Sequence, residues 1–538
     1  MRLRFILGME LPKDFDCLSP AELKELVLQL FAEMTDMQRT IAALRDENAR
    51  LKGGSGRPDI KPNTKPSGME QATEPKPPEG EKKPTRGSTR DKLCIHEERI
   101  ISVEAPLGSR LKGTTSYLVQ DLVIRAHVVD FRCERWQTPD GETITAPLPA
   151  GIDGHFGPEL RRFVLMLYHQ GQTTVARILA LLRSIGIVIA KRQVMRLLIA
   201  GQDDFRDEAR DVLRAGLANA TSITVDDTGA RHKAVNGYCT QIGNAHFSWF
   251  GTTGSKSRLN FLSLLRAGYS DYVVNDDALA YMRQRGLAAH VINRLADHQT
   301  GYFADQAAWT AHLETLGITT LAVKSDPVTI ATEGALWGSV KAHGFLPNTV
   351  IVSDDAGQFN VGDHGLCWIH AERLVHKLDT FTDEQRAAQA ATRAAIWQLY
   401  ADLKAYRAAP NAERKATLTA EFDRIFTTKT GFVMLDRLLA RQYANKPELL
   451  KVLERPEIPL HTNSTENDIR AYVTRRKVSG GTRSDIGRDC RDAFLSLAKT
   501  CAKLQINFWD YLGARLAVPG AAIVPPLPQL VIARSRPP

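Results

Sequence analysis

Between residues 53 and 92 this chain cannot hold regular structure. Pro58, Pro62, Pro66, Pro75, Pro77, Pro78 and Pro84 recur there among glycine, serine and charged residues. Each proline fixes φ and removes a backbone donor, so neither a helix interior nor a central strand can run through. The stretch reads as a flexible, mildly basic linker. It divides the 538 residues into a short N-terminal segment and a long remainder. That length exceeds what a single core organises, so roughly two to four domains are expected.

Residues 18–52 carry a heptad stripe: Leu23, Val27, Leu30, Met34, Met37, Ile41, Leu44, Asn48 and Leu51. The steps alternate four and three without a slip, which predicts a dimerising coiled coil. Asn48 falls on an a position, where a buried amide fixes register. Residues 93–150 read as a small β-rich module, with a strand expected over Tyr117 to Val129 from Leu118, Leu122, Ile124 and Val128. Cys94 and Cys133, with His96 and His127, fall short of the paired spacing of a structural zinc site, so no zinc is expected.

Residues 155–202 predict three helices. Pro158 opens the first, Thr173 or Thr174 caps the second, Gly186 makes a turn, and Lys191 to Ile199 forms the third. This is helix-turn-helix spacing. Lys191, Arg192 and Arg196 on the third helix are candidate DNA contacts.

From residue 215 the pattern becomes that of an α/β core. Ser222-Ile223-Thr224-Val225 alternates and reaches Asp226, expected as a strand end. Tyr238 to Ile242 and His246 to Phe250 read as a hairpin with a Gly-Asn turn, and Asn260 to Arg266 as a helix. Thr349 to Ser353 is a buried-strand pattern that ends in Asp354. Asn463 to Arg470 reads as a helix start carrying Glu466. Strand, hairpin, helix and strand is the order of an RNase H-like core. Residues 379–455 are helical by period, and 514–538 form a Pro-rich tail. Each acid also has a plainer reading: Asp226 and Asp354 as turn residues, and Glu466, three after Asn463, as half of a capping box.

Four stretches together resemble a known family. They are Val225-Asp226-Asp227-Thr228-Gly229, Ser353-Asp354-Asp355-Ala356-Gly357, Cys367-Trp368-Ile369-His370-Ala371-Glu372-Arg373, and Asn463 through Arg470, Arg476-Lys477, Gly480-Gly481 and Arg488. In this order the chain resembles DDE transposases of the insertion-sequence 66 family over about residues 155–512. The resemblance implies a catalytic triad of Asp226, Asp354 and Glu466 that binds two Mg²⁺ (or Mn²⁺) ions about 3.5–4 Å apart. It implies DNA cleavage and strand transfer at terminal inverted repeats. It also places His370 and Arg373 near the scissile phosphate. Asp276 competes for the second position, since Tyr272-Val273-Val274-Asn275 precedes it and Tyr281 follows at the spacing that Phe359 has from Asp354. The neighbouring Cys367-to-Arg373 motif favours Asp354, which makes 277–345 an inserted segment. The basic stretch after the third acid, with Arg470, Arg475, Arg476, Lys477, Arg483 and Arg488, is expected to hold phosphates.

The expected fold class is therefore multidomain α+β. It comprises a coiled coil, a small β-rich module, a helix-turn-helix, and an RNase H-like core in 215–378 and 456–513 with a helical insertion. Net charge is +9, which suits DNA as partner. Seven cysteines without a framework suit a reducing cytoplasm, and no apolar run reaches membrane-spanning length; the resemblance implies a bacterial cytoplasm, close to the nucleoid. A homodimer or higher assembly and small accessory proteins of the element are further expected partners. Two alternatives remain at this point: an RNase H-fold nuclease without strand transfer, and an inactive DNA-binding remnant.

Overall fold

The computed structural model describes residues 94–149, 155–321 and 326–535, with Ser19 and Ile152. Apart from Ser19, the heptad stripe of 18–52 and the linker of 53–92 lie outside the described residues. The chain divides into two units, residues 1–122 and 123–538. In the first, residues 94–122 carry no helix or strand, and Ile100, Ile101, Leu107 and Tyr117 stand exposed. In the second, residues 123–149 hold one small hairpin, β1 (Arg135–Gln137) against β2 (Thr143–Thr145). The strand expected over Tyr117 to Val129 is absent. Alternation makes a strand only when a neighbour takes its hydrogen bonds and a core takes one face.

Three helices follow as the caps and breakers dictate. They are α1 (Pro158–His169), α2 (Val175–Ser184) and α3 (Lys191–Ile199). Pro158 opens α1, and the Thr174 hydroxyl accepts from the Arg177 N–H to cap α2. Gly186, at φ 86°, makes the left-handed turn that ends α2. Ile178, Leu182, Val194, Leu197 and Leu198 close the small core between them. Helix α4 (Asp203–Asn219) leads into the central sheet.

The sheet comprises β3 (Ser222–His232), β4 (Val235–Gly243), β5 (Ser248–Thr253), β8 (Val350–Ser353) and β9 (Asp363–Leu366) in the order β5-β4-β3-β8-β9. β5, β4 and β3 run antiparallel, whereas β3, β8 and β9 run parallel. Strand β3 does not end at Asp226. It continues to His232 and turns back into β4 through Lys233 and Ala234, at φ 49° and 64°. Between β5 and β8 lie α5 (Arg258–Leu265), β6 (Tyr272–Val273), α6 (Asp276–Gln284), α7 (Ala289–Ala296), β7 (Tyr302–Phe303), α8 (Gln306–Thr315) and α9 (Pro327–Ala342). β6 pairs only with β7, outside the central sheet.

After β9 come α10 (Trp368–His376) and three long helices, α11 (Asp383–Ala408), α12 (Ala412–Thr427) and α13 (Val433–Ala444). These share a core of their own with Val350, Val352 and Trp368. The chain then returns in α14 (Asn463–Ser479) and α15 (Asp485–Lys503), which pack on β3, β4 and β5 through Ile469, Tyr472 and Leu495. The Pro-rich tail docks on the core: after α16 (Phe508–Arg515) comes α17 (Leu527–Ser535), with Leu527 and Val531 fully buried. Glu208 of α4 anchors this end, accepting from Arg515 Nε at 2.8 Å and from the Leu527 N–H at 2.9 Å. Among the described residues, no helix is long and apolar enough to cross a membrane.

Candidate active site

The parallel register builds the site. Ser222, Ile223 and Thr224 of β3 pair with Val350, Ile351 and Val352 of β8. Carried two residues on, past the end of β8, the same register would bring Asp354 level with Asp226 on one face, and the charge of Asp354 does act on Asp226. β8 stops at Ser353, so the second acid stands where the sheet opens. Asp276, by contrast, is an exposed first-turn residue of α6, on a helix that follows the minor strand β6.

The third acid is brought in from above. The Thr465 hydroxyl donates to that of Thr224 at 2.6 Å, and both threonines are buried. Thr224 and Asp226 alternate onto the same face of β3, so the first turn of α14 lies over the carboxylates. Glu466 is not a capping residue: α14 has no side-chain cap, and the carboxylate points to His370 Nε2 (3.5 Å) and Arg373 Nη2 (3.4 Å). Helix α10 presents that pair. It is pinned at its start by the Trp368 N–H donating to Leu460 O at 3.0 Å and by the Thr462 hydroxyl donating to Cys367 Sγ at 3.6 Å.

The electrostatics are uneven. Burial raises Asp226 to about 6, aided by the charge of Asp354 and opposed by the Asp227 N–H and by His370. The Cys367 sulfur pushes His370 up, against burial, and Asp354 adds to the rise. Burial opposes the Cys367 thiolate, but His370 outweighs it and lowers the thiol below its ordinary value. His370 is thus the common neighbour of all three acids. Asp226 Oδ1 accepts from the Asp227 N–H at 2.7 Å within β3, whereas Asp354 Oδ1 accepts from the Ala356 N–H at 3.2 Å, so only Asp354 also does the turn work of the plainer reading. Their sequence neighbours are engaged elsewhere, Asp227 with Lys256 and Gln358, and Asp355 with Arg441 and Asn445.

Among the described residues, no three Asp, Glu, His or Cys side chains stand close enough together to enclose an ion. The donor chemistry nevertheless suits a hard divalent cation. Asp226 and Asp354 offer only oxygens, and their mutual repulsion calls for positive charge. Glu466 is the acid held away, by His370 and Arg373.

Comparison with known proteins now bears on this geometry. The profile of the transposase IS66 family matches residues 344–489. An uncharacterized protein, y4jO, of Sinorhizobium fredii is 49% identical over 324 residues, spanning 60% of this chain and 100% of that protein. The chain belongs to the IS66 transposase family. The matched span of this IS66-family member contains Asp354, His370, Arg373 and Glu466, while Asp226 lies upstream of it.

The basic residues of the IS66-family chain divide into three groups. Lys191, Arg192 and Arg196 are exposed on α3, whose Val194, Leu197 and Leu198 face inward. Arg470, Lys477 and Arg483 are exposed at and beyond α14, and Arg470 reaches only Asn467. The others are occupied. Arg476 donates to Gly229 O, and Arg488 pairs with Asp485 and Asp489. Arg475 corrects the sequence reading. It is 6% exposed, lies 3.5 Å over the Tyr168 ring and donates to Tyr168 O, so it joins α14 to α1 and is turned away from the surface. Sequence reasoning missed Lys256 and Gln358. Their only signals were a lone lysine in a Gly-Ser loop after β5 and a glutamine shortly after the second acid.

Proposed function

We propose that this chain is a DDE transposase that cuts DNA at the terminal inverted repeats of its element and joins the freed 3′ ends to target DNA. The central sheet supports an RNase H-like core, since its mixed order is the one that brings two strand acids level. The observation that carries the reading is the register that sets Asp226 beside Asp354, with Glu466 delivered over them by Thr465. Asp226, Asp354 and Glu466 would together hold two Mg²⁺ (or Mn²⁺) ions. When bound, such ions lower the pKa of a water or hydroxyl nucleophile and neutralise the leaving oxygen.

The chain's own residues do the rest. His370 and Arg373 keep Glu466 oriented and offer positive charge to a phosphate. Lys191, Arg192 and Arg196 meet the DNA of the element end, and Arg470, Lys477 and Arg483 hold its backbone near the cut. Arg476 and Arg488 shape the same surface from their paired positions. Residues 18–52 pair two copies so that two ends are held together, in the bacterial cytoplasm beside the nucleoid. Small accessory proteins of the element join this assembly.

A nicking assay on DNA carrying the element's ends, with Mg²⁺ or EDTA, tests this. Asp226→Ala, Asp354→Ala and Glu466→Ala are expected to retain DNA and lose cutting, while Asp276→Ala cuts normally. Cutting by Asp354→Ala together with an inert Asp276→Ala would overturn the assignment.

A further inference from the structure

Strand β3 carries a second carboxylate that the acid pair does not use. By alternation Asp227 faces away from Asp226, to the other side of the sheet, and its side chain is only 5% exposed. Two loops converge on it. Gln358, in the turn behind Asp354, donates to Asp227 Oδ2 at 2.9 Å. Lys256, in the loop joining β5 to α5, pairs with Asp227 Oδ1. Two residues on, Arg258 donates to Gly357 O at 2.8 Å and pairs with the buried Glu333 at 3.3 Å. The Lys256 loop is therefore tied to the turn of the second acid directly through Arg258 and indirectly through Asp227.

Lys256 is the outermost member of this network. Its side chain is 45% exposed, its ammonium lies 5.2 Å from the Tyr238 ring, and the charge of Asp354 acts on it. An ion pair with so exposed an ammonium contributes little to stability. Asp227 already has a second partner in Gln358. What the arrangement does achieve is to fix a long, solvent-facing cation where the sheet opens, next to the strand of the first acid and the turn of the second. His370 and Arg373 stand beside Glu466, on the face that carries the acids. A DNA backbone passing the open end of the sheet would then meet the Lys256 ammonium.

We propose that Lys256 is a phosphate-contacting residue, oriented by Asp227 and Gln358, that grips the DNA backbone at the open end of the sheet, next to the acids. This rests on reading Asp226, Asp354 and Glu466 as the catalytic acids. Each phosphate contact contributes about 0.9 to the slope of log affinity against log salt, so one contact is worth roughly eightfold at 0.1 M salt. The test is anisotropy with a labelled DNA duplex of mixed sequence, in EDTA, over a salt series. Lys256→Ala is expected to bind roughly eightfold more weakly at 0.1 M salt, with a slope smaller by about one, and Lys256→Arg to restore both. Acetylation of Lys256 in the unaltered protein, read by mass spectrometry, is expected to slow when the duplex is added. An unchanged slope in Lys256→Ala, or acetylation indifferent to DNA, would overturn the proposal, as would a drop in melting temperature as the variant's sole effect. Asp226→Asn is assayed for Mg²⁺-dependent nicking in parallel. Persistent nicking there refutes the acids while leaving the salt slope to judge Lys256.

Discussion

Replacing Asp226 by asparagine should make the metal-free protein more stable while abolishing cleavage. The side chain is half-buried, faces the charge of Asp354, and has its pKa raised from an ordinary 3.8 to about 6. Asparagine keeps the shape and the acceptor that meets the Asp227 N–H, and it removes the charge. A carboxyl whose folded pKa is raised binds its proton more tightly folded than unfolded. Stability is therefore greatest below the unfolded pKa and falls as pH climbs through the 3.8-to-6 window. About two units at roughly 1.4 kcal/mol each set an upper bound near 3 kcal/mol, so a gain of about 1–3 kcal/mol is expected at pH 7.5. In a unit of this size that is a rise of roughly 1–3 °C in melting temperature. Scanning calorimetry in EDTA at pH 7.5 and again near pH 4 measures it. The gain should vanish at the lower pH, and saturating Mg²⁺ should shrink or reverse it, because the ion stabilises only the protein that binds it. A variant no more stable than its parent at pH 7.5, or equally favoured at pH 4, would refute the reasoning.

Binding of Mn²⁺, followed by calorimetry, should weaken about tenfold per pH unit below pH 6, since the proton on Asp226 must leave first; equal affinity at pH 5 and 7 would contradict this. Replacing Lys191, Arg192 and Arg196 together by alanine should lower the salt slope of DNA binding by up to about three with the melting temperature nearly unmoved. An unaltered slope would remove α3 from the DNA surface. Arg475→Met should cost about 2–4 kcal/mol of stability by chemical denaturation, because Tyr168 O loses its donor and the ring its cation, while the salt slope stays at the parent value. A reduced slope at full stability would return Arg475 to the phosphate contacts.

The parts of the fold visible in the sequence are those whose signals are local. The three helices of 158–199 announce themselves by Pro158, the Thr174 cap and Gly186, and β8 by its unbroken run of buried β-branched residues. What stayed hidden depends on partners far along the chain. The β3–β4 turn uses Lys233 and Ala234 in left-handed conformation, where Asn-Gly would have betrayed it. It is held by the distant Thr482 and Asp485: the Lys233 N–H donates to Thr482 O at 2.8 Å, and His232 Nε2 sits 3.0 Å from Asp485. Arg475 looked like its exposed neighbours because helical phase alone sets which arginine turns inward, and Tyr168 supplies the reason. For the acids, spacing and company indicated Asp354 over Asp276. The register with β3 is the physical ground for that preference, and no single-strand pattern contains it.

The three long helices after α10 leave and re-enter at one residue. Trp368 donates its ring N–H to Leu449 O at 2.9 Å and its backbone N–H to Leu460 O at 3.0 Å, so the excursion closes on its own starting point. Mileage along the polypeptide between Asp354 and Glu466 consequently says nothing about how far apart their oxygens stand. A shorter or different detour would leave the two acids where they stand, provided it closed on the same tryptophan.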